Sequence, residues 1–202
     1  MPDSSNQPKD VMNEDKLAVP NNWIRESKNI GHLHEFYICG AIEEPECYID
    51  MFDIARHSSP RDIIKIYVNS FGGDLFSGIQ FLRVLAEAEA EVIVSIEGAC
   101  MSAATLLMLS ADSVEITPNS SIMIHNYSSG AMGKGNEMHL QIQHERKWSE
   151  ALFYQVYEDF LTKEEITAVL NGKDIWMDSD ETLLRLQERS DLRTAREKED
   201  KE

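Results

Sequence analysis

The chain has 202 residues, 42% of them hydrophobic, which suffices for one domain with a full apolar core. Its 36 acidic and 19 basic residues give a net charge of -17, a field that repels nucleic acid and anionic membranes. Its apolar runs fall short of the roughly 20 residues of a membrane helix, and no secretory signal pattern begins the chain. We therefore expect a cytoplasmic protein with no nucleic-acid or membrane partner.

Two polar ends flank the part of the chain that has apolar periodicity. Residues 1–22 are polar with scattered prolines and predict a flexible N-terminal segment. Residues 187–202 alternate acidic and basic side chains and predict a charged tail, either mobile or a solvated helix. The folded domain is therefore expected to span residues 23–186.

Short β-branched runs alternate with segments of helical periodicity along this domain. The predicted strands are residues 35–39, 63–68, 92–96, 113–117 and 121–124. The predicted helices are residues 47–57, 75–89, 101–110, 136–161 and 163–170, the last preceded by a capping box at Thr162 and Glu165. This alternation predicts an α/β domain built from repeated β-α units.

Cysteine and histidine positions bear on metal and redox chemistry. Cys39, Cys47 and Cys100 form no Cys-x-x-Cys pair, so we interpret them as small buried apolar residues in a reducing compartment. His32 and His34 could ligate a metal from one face of a strand, but no third ligand follows at a suitable spacing. We interpret this pair as surface polarity and expect neither a metal site nor a cofactor.

Three separate segments carry the groups needed for acyl transfer to a serine. Such a nucleophile needs a base and amide donors for the oxyanion. Ser102 opens a predicted helix among small residues, His125 closes a predicted strand, and paired glycines, Gly72 and Gly73, follow another strand. The backbone N–H groups of Gly73 and Ala103 are candidate oxyanion donors. An acid to orient the histidine is not singled out by composition, since Asp112, Asp174, Asp178 and Asp180 could all accept a hydrogen bond from its imidazole N–H.

The same three segments, in this order, resemble the proteolytic subunit of the Clp protease, ClpP, a family of serine peptidases within the crotonase-like fold. They read Ile-Tyr-Val-Asn-Ser-Phe-Gly-Gly at 66–73, Glu-Gly-Ala-Cys-Met-Ser at 97–102 and Pro-Asn-Ser-Ser-Ile-Met-Ile-His at 118–125. The resemblance extends from about residue 35 to residue 184. It implies ClpP-like repeated β-α units with a protruding helical handle.

The resemblance also implies an activity and a role for each site residue. It implies a serine endopeptidase that cleaves unfolded or flexible polypeptides inside a homo-oligomer of one ring or stacked rings, with an AAA+ unfoldase as a candidate partner. Ser102 would be the nucleophile, His125 the base and Asp174, in Lys-Asp-Ile-Trp-Met at 173–177, the acid after the long helical arm. Gly73 and Ala103 would supply the oxyanion amides, and no cofactor is needed.

Substrate contacts are assigned to residues that flank these catalytic positions. They are Gly72, Met101, Asn126 and Gly130. The glycine-rich segment 126–135 is expected to be a strand that pairs with substrate backbone, as in the family's handle. The apolar residues Trp148, Phe153, Tyr157 and Phe160 recur at helical spacing, and we interpret them as a face packed on a neighbouring subunit.

Departures from the family pattern leave other functions open. Phe71 replaces the proline before the paired glycines, the family's axial loops are not recognisable in residues 1–30, and its closing motif is absent from residues 183–188. These differences put docking to an unfoldase in doubt. The alternatives are a head maturation protease of the type viruses and prophages use, acting without an unfoldase, and a catalytically weak structural subunit. An acyl-CoA enzyme of the same broad fold would have no use for the Ser-His pair.

Overall fold

The structure, a computed structural model, describes residues 22–27 and 31–199. Apart from Asn22, the predicted flexible segment 1–22 lies outside these residues. The strands are β1 (Asn22–Ser27), β2 (Gly31–Ile42), β3 (Ile63–Gly73), β4 (Glu91–Met101), β5 (Ser113–Ile116), β6 (Ser121–Ile124) and β7 (Ile175–Asp178). The helices are α1 (Ile49–Arg56), α2 (Leu75–Ala86), α3 (Ala104–Ser110), α4 (Gly135–Tyr157), α5 (Lys163–Leu170) and α6 (Ser179–Glu199), with a 3-10 helix at Pro45–Tyr48.

One mixed sheet of seven strands organises these elements. The order is β1-β2-β3-β4-β6-β7, and β5 pairs with β4 beside β6. Strands β2, β3, β4 and β6 run parallel, while β1 and β7 are antiparallel to their neighbours. The predicted α/β class is confirmed. Among the described residues, no helix has both the length and the apolar character needed to cross a membrane.

The central strands carry the core and position the candidate site. Ile64, Ile66 and Val68 of β3 are fully buried, as expected for strands covered on the inner face of a layered α/β domain. Because β3, β4 and β6 are parallel, their carboxyl ends meet at one edge of the sheet, where ligands bind in open α/β sheets. The glycine pair, the serine and the histidine end these three strands, so the topology brings them to the same edge.

Two predicted elements have the observed bounds, and others differ. Strand β6 and helix α5 begin and end where they were predicted, and the capping box is confirmed by bonds in both directions between Thr162 and Glu165. Strand β4 continues to Met101 because Ala99 to Met101 pair with β6, so α3 begins only at Ala104. Ser102 therefore precedes the helix that it was expected to open.

The C-terminal residues form a helix and contact the domain. Helix α6 continues past the expected domain boundary at residue 186 to Glu199. Of the two possibilities for the charged tail, mobile or helical, the structure therefore has the helix. Buried Arg189 donates a 2.6 Å hydrogen bond to the carbonyl of Leu109, and Arg196 lies 2.7 Å from the Asp159 carboxylate. Charged side chains therefore fix this helix to the domain although it has few apolar anchors.

Two interpretations of apolar side chains are wrong. Cys100 is buried, but Cys39 and Cys47 are exposed; Cys39 lies on the outward face of β2, one residue beyond buried Ile38. Of the aromatic residues expected at an interface, Phe153, Tyr157 and Phe160 are buried in the core of their own chain. The exposed apolar residues of α4 lie instead in its N-terminal half, since no residue of this helix before Ser149 is buried.

Candidate active site

Ser102 occupies a strained turn between β4 and α3. Its φ of 54° lies in the left-handed region, which costs a residue with a side chain about 1–2 kcal/mol. Its N–H donates to the carbonyl of Met123 at 2.8 Å, and its carbonyl accepts from the N–H of Thr105 at 3.0 Å. Backbone bonds on both sides therefore hold this conformation.

His125 directly follows β6 and faces the serine. Its Nε2 atom lies 2.7 Å from Ser102 Oγ, within hydrogen-bonding distance, and both residues are half-buried. A hydroxyl proton can pass along such a contact to the imidazole as the oxygen attacks a carbon. The structure thus brings these two predicted residues together.

Gly72 lets residues 69–73 at the C-terminal end of β3, here named the glycine loop, approach the serine. Its φ is +94°, and an added Cβ would lie 2.6 Å from Ser102 Cβ and 2.8 Å from the Met101 carbonyl oxygen. A side chain cannot occupy that space, so glycine is required by both conformation and contact. Gly73 lies beside Ile42 of β2, where an added Cβ would collide with backbone.

Two residues of the same loop have roles that sequence reasoning missed. The Asn69 side-chain oxygen accepts a 3.0 Å hydrogen bond from the N–H of Ala99 in β4. Ser70 Oγ donates to the Gly40 carbonyl at 2.6 Å and accepts from the Gly72 N–H at 3.1 Å. These hydrogen bonds attach the glycine loop to β2 and β4. The sequence signal that could have indicated this role is the position of both residues between a predicted strand and the paired glycines.

A hydrogen-bonded chain connects α4 to the serine turn. Thr105 Oγ1 donates to the Ser102 carbonyl at 2.7 Å and lies 2.7 Å from the Tyr157 hydroxyl. Because the threonine proton is engaged by that carbonyl, the tyrosine hydroxyl donates to the threonine oxygen. Burial raises the pKa of Tyr157, which keeps the phenol protonated as this arrangement requires.

A largely apolar cavity of about 710 Å³ opens beside Ser102 and His125. This volume is in the usual range for ligand pockets. Ring centroids of Phe76 and Trp148 lie 5.8 Å apart in a stacked arrangement at its wall. The other apolar side chains that line it are Phe71, Leu75, Leu106, Leu152 and Phe153, together with the rings of Tyr127 and Tyr157.

The polar part of the cavity wall includes an ionised carboxylate. Glu145 accepts hydrogen bonds from Ser129 Oγ at 2.6 Å and from the Gln141 amide at 2.7 Å. These bonds hold the pKa of Glu145 below its ordinary value, so the carboxylate stays charged at neutral pH. The cavity therefore combines an apolar interior with a fixed negative charge on its wall.

Asp174 lies across from His125 without a hydrogen bond to it. The last paired residues of β6 and β7 are Ile124 and Ile175, so continuing the antiparallel register places Asp174 opposite His125. The Asp174 side chain is exposed, and among the described residues it makes no hydrogen bond with His125. The backbone therefore brings the two residues together while the side chains remain apart.

The predicted substrate-contact residues are dispersed around the site. Met101 ends β4 with its side chain buried, and Gly130 is exposed and does not line the cavity. The Asn126 side chain donates to the Leu170 carbonyl at 3.2 Å and lines a separate groove. The expected strand at 126–135 is wrong: residues 126–134 are irregular, and α4 begins at Gly135.

The fold and this geometry agree with comparisons to known proteins. The Clp protease family profile matches residues 48–184, more than half of the chain. The chain belongs to the Clp protease family. It is 22% identical over 154 residues to the ATP-dependent Clp protease proteolytic subunit of Bacteroides fragilis, covering 75% of this chain and 72% of that protein.

Other proteolytic subunits show similar levels of identity. The subunit of Deinococcus radiodurans is 27% identical over 129 residues, 62% of each chain. Proteolytic subunit 1 of Salinibacter ruber is 26% identical over 122 residues, 58% of this chain and 52% of that protein. Membership in this family makes the chain a ClpP-type serine peptidase.

Proposed function

We propose that Ser102 is the nucleophile and His125 the general base of a peptidase that cleaves unfolded or flexible polypeptides. The observation that carries this proposal is the 2.7 Å contact between Ser102 Oγ and His125 Nε2 at the wall of an apolar cavity. Ser102 and His125 are 23 residues apart in the sequence. They meet at this distance because each follows one of two adjacent parallel strands, β4 and β6.

The reaction follows from the positions of these groups. Ser102 Oγ attacks the carbonyl carbon of the scissile peptide while its proton moves to His125 Nε2. The imidazolium then returns that proton to the leaving amine, which leaves an acyl group on Ser102. Water, deprotonated by the same imidazole, hydrolyses the acyl ester and regenerates the serine.

The backbone N–H groups of Gly73 and Ala103 are our candidates for the oxyanion donors. Ala103 immediately precedes α3, so its N–H lies among the amides that have no acceptor within the helix. An added Cβ on Gly72 would lie 3.2 Å from the Ala103 nitrogen, so the glycine loop and this amide border one space. Two fixed donors there would stabilise negative charge as it develops on the carbonyl oxygen.

Asp174 is our candidate for the acid that orients His125. The β6-β7 register supports it, since cross-strand neighbours of an antiparallel pair lie on the same face, about 4.5–5.5 Å apart. A rotation of the exposed Asp174 side chain would allow its carboxylate to accept a hydrogen bond from the imidazole Nδ1–H. Asp178, at the other end of β7, pairs with Ser121 at the far end of β6.

Labelling with a fluorophosphonate probe tests the nucleophile directly. The wild-type protein should be labelled once per chain, and Ser102→Ala and His125→Ala should each abolish labelling and ester hydrolysis while keeping their thermal transitions. The double variant should be little worse than either single variant, because the two groups act as a unit. Turnover by Ser102→Ala would reject the serine mechanism for this site.

Paired aspartate variants test the orienting acid. Asp174→Asn should lower kcat by about 10⁴, the loss found when a triad aspartate becomes an amide that stabilises the wrong imidazole tautomer. Asp178→Asn, at the last residue of β7, should remain near the wild-type rate. The reverse result would reject Asp174, and no effect of either would indicate a Ser-His dyad.

The cavity supports a preference for an apolar residue before the scissile bond. Phe76, Leu106 and Trp148 would remove such a side chain from water, and each buried CH₂ group contributes about 0.8 kcal/mol. Peptides with leucine or phenylalanine at that position should therefore be cleaved faster than those with alanine or aspartate. Equal rates for the leucine and aspartate peptides would contradict this use of the cavity.

Assembly into rings is the second part of the proposal. Leu140 and Ile142 in the N-terminal half of α4 are 63% and 57% exposed, and a long helix with such side chains favours burial against another subunit. Leu140→Glu with Ile142→Glu should reduce the oligomer measured by sedimentation velocity. Ile49→Glu, at a residue 61% exposed outside this helix, is the matched control. A monomeric wild-type protein would reject the assembly.

A further inference from the structure

Two histidines extend the inward face of β2 beyond the core. Side chains alternate along a strand, so His32 and His34 share the face of buried Phe36 and Ile38. His34 is half-buried at the end of the apolar row, and His32 is more exposed beyond it. Imidazoles at these two positions project toward one point at the margin of the core.

Asp62 brings a carboxylate to that point from the neighbouring strand. It directly precedes β3, whose first residue, Ile63, pairs with Leu33. Asp62 Oδ1 accepts from the His32 backbone N–H at 2.7 Å and lies 3.3 Å from His32 Nδ1. Asp62 Oδ2 accepts from both the N–H and the hydroxyl of Ser59 at 2.7 Å.

These bonds fix both the charge and the direction of the carboxylate. His32 and Ser59 donate three hydrogen bonds to the two oxygens of Asp62. The side chain is therefore held in one rotamer as an acceptor-only carboxylate, although it is buried. A buried carboxylate in this state is a suitable ligand for a cation.

His34 presents a nitrogen that no other described residue uses. Its Nδ1 atom is buried and has no hydrogen-bond partner among the described residues. Buried polar atoms nearly always have a partner, and a bound ion is one of the ordinary ways to provide it.

We propose that His32, His34 and Asp62 form a binding site for a divalent transition-metal ion of the zinc class. One ligand atom from each residue lies within 4.8 Å of the other two. In a tetrahedral zinc site with metal-nitrogen distances of about 2.0–2.1 Å, neighbouring ligand atoms lie about 3.3 Å apart. Small rotations of the two imidazoles toward the Asp62 carboxylate would bring the three ligand atoms to that spacing. Two imidazoles and one carboxylate suit zinc and its neighbours, whereas calcium and magnesium prefer oxygen ligands.

The site lies far from the candidate nucleophile. Asp62 directly precedes β3 and Gly72 is its penultimate residue, a separation of about 33 Å at 3.3 Å per residue. A metal here would join the start of β2 to the turn before β3 and would not contact substrate at Ser102. Its expected effect is therefore on stability, since an ion bound only by the folded chain raises the melting temperature.

Zinc titration of the untagged, chelator-treated full chain tests the site. Competition with a chromophoric chelator should show one high-affinity zinc per chain, and cobalt should give the visible absorption of a protein-bound ion. His32→Gln and His34→Gln should each weaken zinc affinity at least tenfold and remove the zinc-dependent rise in melting temperature. These glutamines keep a polar side chain without an imidazole.

His57→Gln is the matched control. His57 is exposed, and its Nδ1 donates to the Asp53 carbonyl in α1 at 2.8 Å, outside the proposed ligand set. Its replacement should leave zinc affinity unchanged. Full zinc affinity in both His32→Gln and His34→Gln would overturn the proposal, as would a wild-type chain that binds no zinc. Loss only in His32→Gln would overturn it as well, because the buried nitrogen of His34 would then have no part in the site.

Discussion

Replacing Gly72 with alanine tests how closely the glycine loop approaches the candidate nucleophile. The added methyl carbon would lie 2.6 Å from Ser102 Cβ, whereas carbon atoms prefer a separation of about 3.5–4.0 Å. Ser102 or the loop must therefore move by about 1 Å. Because the Ser102 Oγ to His125 Nε2 distance is 2.7 Å, a movement of that size breaks the hydrogen bond.

We expect the variant to lose about 100-fold in kcat/KM, since a misplacement of about 1 Å can cost that much. The left-handed backbone adds a stability loss of about 1–2 kcal/mol. Gly40→Ala provides a matched control, because Gly40 has a φ of +98° against +94° for Gly72 and nothing within 4 Å of its added Cβ. It should lose similar stability and keep its activity.

Peptide-ester hydrolysis and fluorophosphonate labelling measure the activity, and thermal unfolding measures the stability. In a domain of this size 1 kcal/mol shifts the melting temperature by about 2–4 °C. If Gly72→Ala labels at the wild-type rate, the alanine is accommodated without moving Ser102 and the steric reasoning is wrong. If Gly40→Ala loses as much activity as Gly72→Ala, backbone strain and not contact explains the loss.

Three further variants test the energetics of the fold. Arg185 donates two hydrogen bonds to Glu165 and lowers the pKa of that carboxyl to about 2. The pair therefore contributes its full stabilisation above pH 4.5, and this contribution falls as the pH approaches 2. Arg185→Met should thus cost about 1–2 kcal/mol in urea unfolding at pH 7, with a difference from wild type that shrinks in acid. Tyr157→Phe removes the 2.7 Å contact with Thr105 and should cost about 1 kcal/mol in thermal unfolding. Phe81→Ala leaves a cavity at a fully buried position and should lower the free energy of unfolding by about 3–5 kcal/mol. A loss below about 1 kcal/mol would contradict the place of Phe81 in the core.

Local sequence patterns were sufficient for several elements and for the candidate pair. The β-branched run at 121–124 and the capping box before α5 predicted those elements with their observed bounds. Ser102 and His125 were recognised because each follows an apolar strand within a motif of the family. Alternation and helix capping depend on residues within about four positions of one another, so they can be read along the chain.

The remaining features depend on which distant segments meet. The left-handed turn at Ser102 is held by a bond to β6, and the cavity takes walls from α2, α3 and α4. The four residues of β7 are too few to show a period, so pairing with β6 defines that strand. His32 and His34 lack a third ligand nearby in sequence, and β2-β3 pairing supplies Asp62. Periodicity determined the α/β class, and motifs in the family's order indicated the candidate nucleophile and base. Strand register, a long-range property, decided which residues face them.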